Sequence, residues 1–334
     1  MLHAMTSNIQ SIKLTAPSRL HFGLLPPGSD QRSRRGGLGV MIQEPCLLLH
    51  GVPSKKWTVT GPFQQLIDRI AAQLLGKKER DALALHIHVD QAPSAHVGYG
   101  TGTQVAMATA ALLEAWIGGV NSHGEAPPNV LDRGSRSLVG SVGFAQGGLI
   151  YDSGMEELMS PATECQAEVA GVRCYAIPVA WRWLTISADG LKGLSGESEA
   201  TAFASVIADE DSRHRVMRFV ENELLRRLID NDFDGFSACL YEYGIRCGEL
   251  FRQHQSGIFS SKRMSEVVTK IRGSGVCGVG QSSWGPTVFA LFPDCYSAKK
   301  FVTENDWISQ EGLVPMISST ELDGHKMAIE HINC

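Results

Sequence analysis

Apolar and polar residues alternate along residues 12–25, and this period of two predicts a β-strand near the start of the chain. Arg19 and His21 share one face of the predicted strand. We therefore expect these two side chains to project together. The residues on the apolar face are Leu20, Phe22 and Leu24.

The spacing of apolar residues lengthens to three and four between residues 62 and 76, which predicts an amphipathic helix ending near Gly76. Alternation returns at 82–93 and predicts another strand, on which His86 and His88 share a face. Two histidines at this spacing are able to coordinate a metal ion. Because no third ligand lies nearby in the sequence, we interpret them as structural.

Helical spacing dominates the second half of the chain. A strand around 172–186 closes the first half, and a glycine loop leads into another strand within 278–292. This order predicts an α+β fold with two domains, residues 1–188 and 189–334. The predicted helices of the second domain cover 211–232, 233–253 and 261–275.

The composition excludes several classes of protein. The 334 residues are 43% hydrophobic and 19% charged, with a formal net charge of −5, which supplies a sizeable core and argues against a general nucleic-acid binder. No run of about 20 apolar residues is present to span a bilayer, and the first residues do not resemble a secretion signal. We therefore expect a cytoplasmic protein without a membrane partner. The 8 cysteines form no CxxC pair, which favours reduced, mostly buried thiols.

The stretch HVGYGTGTQ, residues 96–104, is the strongest candidate for chemistry. Gly98, Gly100 and Gly102 stand at every second position and lead directly into an alanine-rich helix. Glycine lets backbone N–H groups approach a ligand closely, and a helix N-terminus adds partial positive charge, so this loop suits a phosphate. A tight strand-to-helix turn with packing glycines is the alternative. The glycine spacing differs from both the P-loop and the dinucleotide fingerprint.

This loop resembles the phosphate loop of the GHMP kinase superfamily, Pro-x-x-x-Gly-Leu-Gly-Ser-Ser-Ala. It departs from that pattern in three places. Four residues separate Pro93 from Gly98, Tyr99 replaces leucine, and Thr101–Gly102 stands at the serine pair. In those kinases the second serine helps to hold magnesium, so we expect this chain to lack ATP-dependent phosphoryl transfer.

A narrower resemblance covers most of the chain. Four stretches are similar to motifs of the β-ribofuranosylaminobenzene 5′-phosphate synthase family. The resemblance implies an α+β, GHMP-kinase-like two-domain fold with a ferredoxin-like C-terminal domain. The four stretches are Arg-Leu-His-Phe-Gly-Leu at 19–24, His-Val-Gly-x-Gly-x-Gly-Thr-Gln at 96–104, a glycine-rich stretch at 133–152, and Gly-Gln-Ser-Ser-Trp-Gly-Pro at 280–286.

The same resemblance implies an activity. Such enzymes join phosphoribosyl pyrophosphate to 4-aminobenzoate, or to a close analogue such as 4-hydroxybenzoate, with loss of CO2 and pyrophosphate. The product starts the methanopterin branch of one-carbon metabolism. The expected partners are therefore these small molecules, with Mg²⁺ as cofactor on the pyrophosphate. The sequence leaves the oligomeric state open, with a homodimer as one option.

Residue type assigns roles within these motifs. Arg19, His21 and Gln281 are the predicted catalytic residues, and the arginine fork of Arg19 suits phosphate or carboxylate. Taken alone, Arg19 would be a surface charge and His21 a satisfied core group, and the motif context favours the functional interpretation. We expect Arg19 and His21 to face the same cleft as the loop at 280–286. Trp284 either stacks on the aromatic ring or packs in the core. The predicted substrate-binding residues are His96, Gly98, Gly100, Thr101, Gly102, Thr103, Gln104, Arg133, Ser282, Ser283 and Trp284.

Asp152, Glu197 and Glu199 are carboxylates near glycine-rich segments. Magnesium takes few carboxylates together with phosphate oxygens and water, so Asp152 and Glu197 are the predicted metal ligands. Two other functions compete with the synthase. A GHMP-type kinase would consume ATP with a small alcohol, and a regulatory module would bind a phosphometabolite without turnover.

Overall fold

The computed structural model describes most of the chain. Arg133, Glu197 and Glu199, which the sequence proposes as site residues, lie outside the described ranges. The described residues are 9–28, 34–118, 137–155, 171–188, 210–254 and 257–332.

The first sheet is built around a long antiparallel hairpin. Its strands are β1 (Ile9–Leu25), β2 (Gly36–Pro53), β3 (Thr58–Thr60), β4 (Leu85–Gln91), β5 (Leu149–Asp152), β6 (Val172–Tyr175) and a last strand at Lys326–His331, which pairs with β1. β1 confirms the strand predicted at 12–25. β2 pairs with β4 through its second half and with β5 through its first half, and β6 extends the sheet beyond β5.

Helices cover one face of this sheet. Those that the structure describes are α1 (Gln64–Leu75), α2 (Lys77–Asp81), α3 (Thr101–Ile117) and α4 (Val139–Gln146). α1 confirms the amphipathic helix predicted at 62–76. Val105, Ala108 and Leu112 of α3 are buried in one core with Ile12 of β1 and Ile67 of α1. This packing holds the start of α3 at a fixed place beside β1.

The second sheet has four antiparallel strands within the described ranges. They are β7 (Arg182–Ala188), β8 (Val279–Gln281), β9 (Val288–Phe292) and β10 (Leu313–Ser318), in the order β10-β7-β9-β8, and the strand at Lys326–His331 is accordingly β11. The helices of this half are α5 (Glu210–Phe219), which runs through a wider π turn at Val220–Leu224 into α6 (Leu225–Ile229), then α7 (Phe233–Leu250), α8 (Lys262–Gly273), α9 (Cys295–Glu304) and α10 (Trp307–Gln310).

The two sheets exchange strands across the predicted domain boundary. β7 precedes residue 189 yet pairs in the second sheet, and β11 comes from the end of the chain yet pairs with β1. Trp183 of β7 stacks on Phe22 of β1 at 5.2 Å between ring centroids, so the interior is continuous between the sheets. The predicted boundary between residues 188 and 189 therefore does not separate the two sheets. A ferredoxin-like fold for the C-terminal domain stays a prediction.

Within the ranges that the structure describes, no helix combines the length and the apolar character needed to cross a membrane.

Candidate active site

The glycine loop ends in the first turn of α3, as its sequence predicts. Gly98 and Gly100 have φ of +106° and +69°, in the left-handed region where glycine is favoured. Gly100 precedes the helix and its carbonyl accepts from the backbone N–H of Thr103 at 2.9 Å. No described group accepts the backbone N–H of Thr101 or of Gly102. These donors point out of the helix N-terminus, where an anion is stabilised by them and by the helix dipole.

Arg19 lies directly against this loop. Its backbone N–H donates to the carbonyl of Tyr99 at 2.9 Å. A Cβ added at Gly100 would stand 3.1 Å from Nε of Arg19, and one at Gly140 of α4 would stand 3.7 Å from its Nη1. The arginine side chain therefore runs between the loop and α4. It places a permanent positive charge beside the free N–H groups that open α3.

The His21 ring is completely buried behind Arg19. Neither ring nitrogen has a hydrogen-bond partner of normal geometry, and the ring leaves no room for a side chain at Gly37. Burial first, and then the Arg19 guanidinium, hold the pKa of His21 well below its usual value, and the backbone of Gly23 opposes them only in part. The imidazole is therefore neutral at pH 7, and it offers hydrogen-bonding nitrogens but no charge.

The second glycine loop, residues 280–287, joins β1 to the first loop. Ser282 accepts from the backbone N–H of His21 at 3.0 Å and donates to the carbonyl of Gly98 at 2.6 Å. Thr287 donates to the carbonyl of Val97 at 2.6 Å, and the backbone N–H of Ser283 donates to the carbonyl of His21 at 2.8 Å. The structure thus brings the two loops and the backbone of β1 together, while a cleft shared by the Arg19 and His21 side chains with this loop stays a prediction. The buried hydroxyl of Ser282 holds these backbones together and so shapes the site, while the substrate-binding role that the sequence predicts for Ser282 stays a prediction.

Gln281 also serves the loop itself. Its Oε1 accepts from both the backbone N–H and the hydroxyl of Ser260, each at 2.9 Å, and its Nε2 donates to the carbonyl of Ser283 at 2.9 Å. The prediction of a catalytic group at Gln281 does not fit these contacts. This amide is a positioning group that holds Ser283 and the segment around Ser260. Ser283 itself has φ of +54°, an unusual conformation for a residue with a side chain.

Several side chains of the first loop point inward. The Thr101 hydroxyl donates to the carbonyl of Ser94 at 3.2 Å, and the Gln104 amide donates to the carbonyl of Gly140 at 3.0 Å. Thr103 is buried against Gly140, whereas His96 is exposed at the rim. The loop therefore offers a ligand mainly backbone N–H groups, with Arg19 as the neighbouring charge.

Asp152 has a structural task that the sequence did not reveal. Its carboxylate is fully buried and forms an ion pair with Arg34. It also accepts from the backbone N–H of Leu138 at 2.7 Å, where α4 begins, and from that of Gly154 at 2.9 Å. The prediction of a magnesium ligand does not fit a carboxylate whose oxygens are taken up in this way. Glu197 lies outside the described residues, among which no group of three His, Cys, Asp or Glu side chains could hold a metal ion.

A cleft of roughly 440 Å³, counted out to the solvent, opens beside the second loop. Its walls come from Phe22–Leu24 of β1, from α7 between Gly244 and Phe251, and from Trp284. Trp284 is buried edge-on against Phe251, with 5.3 Å between ring centroids. It therefore packs in a small core and also lines the cleft. The sequence analysis did not assign these α7 residues to the site. The spacing of Gly244, Cys247 and Gly248 on one helix face was the available signal.

Ser282→Ala is expected to lower the free energy of unfolding by about 1–3 kcal/mol, because it leaves the N–H of His21 and the carbonyl of Gly98 buried without a partner. Urea denaturation measures the loss. Ser309→Ala is the matched control, since that exposed hydroxyl donates only to the carbonyl of Asp306. Equal losses in the two variants would contradict a special role for Ser282.

Three proteins of one name match most of this chain in sequence. A beta-ribofuranosylphenol 5'-phosphate synthase from Archaeoglobus fulgidus is 25% identical over 290 residues, which cover 84% of this chain and 87% of that protein. Proteins of the same name from Methanothermobacter thermautotrophicus and Methanocaldococcus jannaschii are 21% identical and cover 83% and 94% of this chain, and 88% and 99% of their own. No protein-family model matches the chain. The relatives confirm the resemblance that the four sequence motifs indicated.

Solved structures show the fold. A homoserine kinase from Cytophaga hutchinsonii has a TM-score of 0.62 at 14% identity, over 96% of this chain and 98% of that one. A mevalonate diphosphate decarboxylase from Staphylococcus aureus has a TM-score of 0.63 at 13% identity, with the same coverage of 96% and 98%. The predicted GHMP-kinase-like fold is confirmed. Together, the comparisons identify the chain as an enzyme with the GHMP-kinase fold that is related to the beta-ribofuranosylphenol 5'-phosphate synthases.

Proposed function

We propose that the chain is a decarboxylating synthase that joins phosphoribosyl pyrophosphate to 4-hydroxybenzoate or 4-aminobenzoate. One observation carries this proposal beyond the names of the relatives. The free backbone N–H groups of Thr101 and Gly102 and the side chain of Arg19 meet at the start of α3. Such a place suits a phosphorylated substrate.

The reaction balances without a covalent enzyme intermediate. The bond between C1 of the ribose and the pyrophosphate oxygen breaks, and its electron pair leaves with the pyrophosphate. The ring carbon that bears the carboxylate then attacks C1, helped by electron donation from the para hydroxyl or amino group. The bond to the carboxylate breaks next, CO2 leaves, and that electron pair restores the aromatic ring.

The described side chains support these steps through position and charge. Arg19 would stabilise negative charge on the phosphate oxygens, and the backbone N–H groups of Thr101 and Gly102 would orient them. His21 stays neutral beside Arg19, so the local field remains that of a single cation. The thiol of Cys247 is buried and its pKa is raised to about 12, which suits a mechanism without a cysteine nucleophile.

Magnesium is proposed to arrive with the substrate. When bound, it would neutralise charge on the pyrophosphate. The described residues do not fit a resident metal site: no residue that lines the cleft is acidic, and Asp152 is occupied by its own partners. We therefore assign no protein ligand to the ion.

The acceptor is the finer part of the proposal. The relatives are named for a ribofuranosylphenol, and a phenol product corresponds to 4-hydroxybenzoate as the acceptor. An aniline product corresponds to 4-aminobenzoate. Both para groups donate electrons to the carbon that attacks, so the same site would serve either compound. Placement at the start of methanopterin synthesis follows from this product and is proposed with it.

The deciding experiment supplies the purified protein with phosphoribosyl pyrophosphate, Mg²⁺ and either acid labelled in its carboxyl group. Labelled CO2 is expected in a one-to-one ratio with pyrophosphate. Excess chelator is expected to stop release without lowering the melting temperature, because the ion belongs to the substrate complex. Binding of phosphoribosyl pyrophosphate without CO2 release from either acid would contradict the synthase and favour a regulatory module.

The kinase remains the second candidate because the fold is shared with homoserine kinase. Against it stands Gly102, which has no hydroxyl where those kinases carry their second serine. ATP, Mg²⁺ and a panel of sugar and isoprenoid alcohols are therefore expected to yield no ADP above background. Steady ADP formation that depends on one alcohol would reverse the assignment.

A further inference from the structure

The lining of the cleft beside the second glycine loop suits the flat apolar face of an aromatic ring. Four aromatic side chains line it, Phe22, Phe251, Phe259 and Trp284, and none of its lining residues carries a charge. Aromatic rings favour stacked or edge-on contact with another ring.

The cleft does not suit the phosphates of the donor. A phosphate needs N–H donors or cations, which lie on the glycine loop next to Arg19. Cys247 on the cleft wall does not add a negative charge, because burial raises the pKa of its thiol to about 12. The two regions therefore differ in chemistry, one for anions and the other for an apolar ring.

The two regions are nevertheless adjacent. Ser282 is hydrogen-bonded to the carbonyl of Gly98 in the phosphate loop, while its neighbours Gln281 and Ser283 line the cleft. Successive Cα atoms are about 3.8 Å apart, so the loop at 280–287 forms the wall between the regions. A ring in the cleft would thus lie next to a phosphorylated sugar held at the start of α3.

Three glycines shape the cleft, and they do so differently. A Cβ at Gly23 would stand 2.6 Å from Sγ of Cys247, and one at Gly248 would collide with the carbonyl of Ile258. Those two glycines allow close packing of the walls. A Cβ at Gly244, by contrast, would meet only the carbonyl of Phe22, at 3.7 Å. Gly244 therefore faces open space, and its missing side chain leaves room inside the cleft.

We propose that this cleft holds the aromatic ring of the acceptor and that Gly244 determines how large a ring it admits. This inference rests on the proposed function for the identity of the acceptor. A side chain added at Gly244 would occupy the space of the ring. We expect the phosphate loop to stay as it is, because a Cβ added at Gly244 meets no atom of that loop within 4 Å.

The test compares Gly244→Ala and Gly244→Leu with Gly273→Leu. Gly273 also lies in a helix, and a side chain added there meets nothing within 4 Å. Gly244→Leu is expected to raise the KM of the benzoate acceptor by at least about tenfold, with a smaller rise for Gly244→Ala. The KM of phosphoribosyl pyrophosphate should stay within about twofold, as at an independent site. An unchanged acceptor KM in Gly244→Leu, or an equal rise for both substrates, would overturn the proposal.

Failure of the proposed function would be recognised separately, as absence of CO2 release in the unaltered protein. The cleft is then tested by calorimetric titration with 4-hydroxybenzoate in the presence of inorganic pyrophosphate. Binding that persists in Gly273→Leu and is lost in Gly244→Leu supports the ring site. Binding that survives in Gly244→Leu, or that is absent from all three proteins, refutes it. Near-ultraviolet circular dichroism confirms that each variant is folded.

Discussion

Gly100→Val is expected to weaken the binding of phosphoribosyl pyrophosphate by roughly 100-fold, which corresponds to the loss of about one hydrogen bond to a charged group. Gly100 has φ of +69°, a conformation that β-branched residues rarely adopt. The new Cβ would also stand 3.1 Å from Nε of Arg19. The loop must shift to relieve both strains, and the N–H groups of Thr101 and Gly102 shift with it. Calorimetric titration gives the dissociation constant.

The matched control for this variant is Gly312→Val. Gly312 has φ of +66°, and a Cβ there meets nothing within 4 Å. It carries the same backbone strain without touching the loop. Both variants are expected to lose stability, and only Gly100→Val should lose binding. Unchanged binding in a folded Gly100→Val protein would remove the loop from the site.

Arg19→Met is expected to raise the KM of phosphoribosyl pyrophosphate by roughly 10- to 150-fold, the loss expected when one hydrogen bond between charged groups is removed. Arg19→Lys should recover only part of this loss, because an ammonium cannot reproduce the bidentate fork of a guanidinium. Steady-state kinetics at two salt concentrations measure both effects. The KM of the acceptor is expected to change little, since the arginine lies on the phosphate side of the site.

Arg227→Met provides the comparison for Arg19. Arg227 lies on α6 and forms an ion pair with Asp232 that is largely exposed. Its loss should leave both KM values unchanged. If Arg19→Lys were as active as the unaltered protein, a simple point charge would suffice and the bidentate role would be wrong. If Arg19→Met were fully active, the phosphate would bind elsewhere.

Local pattern was sufficient for much of the framework. The period of two around Leu20 and the period near 3.6 around Ile67 each describe a segment whose burial depends on its own residues. The start of α3 was also predictable, because glycines before an alanine-rich run leave few other conformations. The sheet that β7 joins was not predictable. Strand pairing depends on which distant strand offers a matching edge, and no local rule carries that information.

The same distinction between local and distant information applies to the side chains of the candidate site. Sequence motifs placed Arg19 and the glycine loop in the site, and the structure brings them into contact. The same motifs gave no means to tell a hydroxyl or amide that faces a ligand from one that ties the fold together. Ser282 and Gln281 are of the second kind. The hydrogen bond from Ser282 reaches a carbonyl 184 positions away in the chain.

The sequence by itself determined the α+β order of elements and the position of the glycine loop, because glycine spacing and hydrophobic period act over a few residues. The class of reaction to propose came from the resemblance of its motifs to a known family. Only the tertiary structure decided that Asp152 binds the N–H of Leu138 just before α4, that the ring of His21 is buried beside Arg19, and that an apolar cleft opens between β1 and α7. The physical reason is that burial and hydrogen-bond saturation depend on groups far apart in the chain. A polar residue is available for chemistry only if those distant groups leave some of its hydrogen-bonding atoms without a partner.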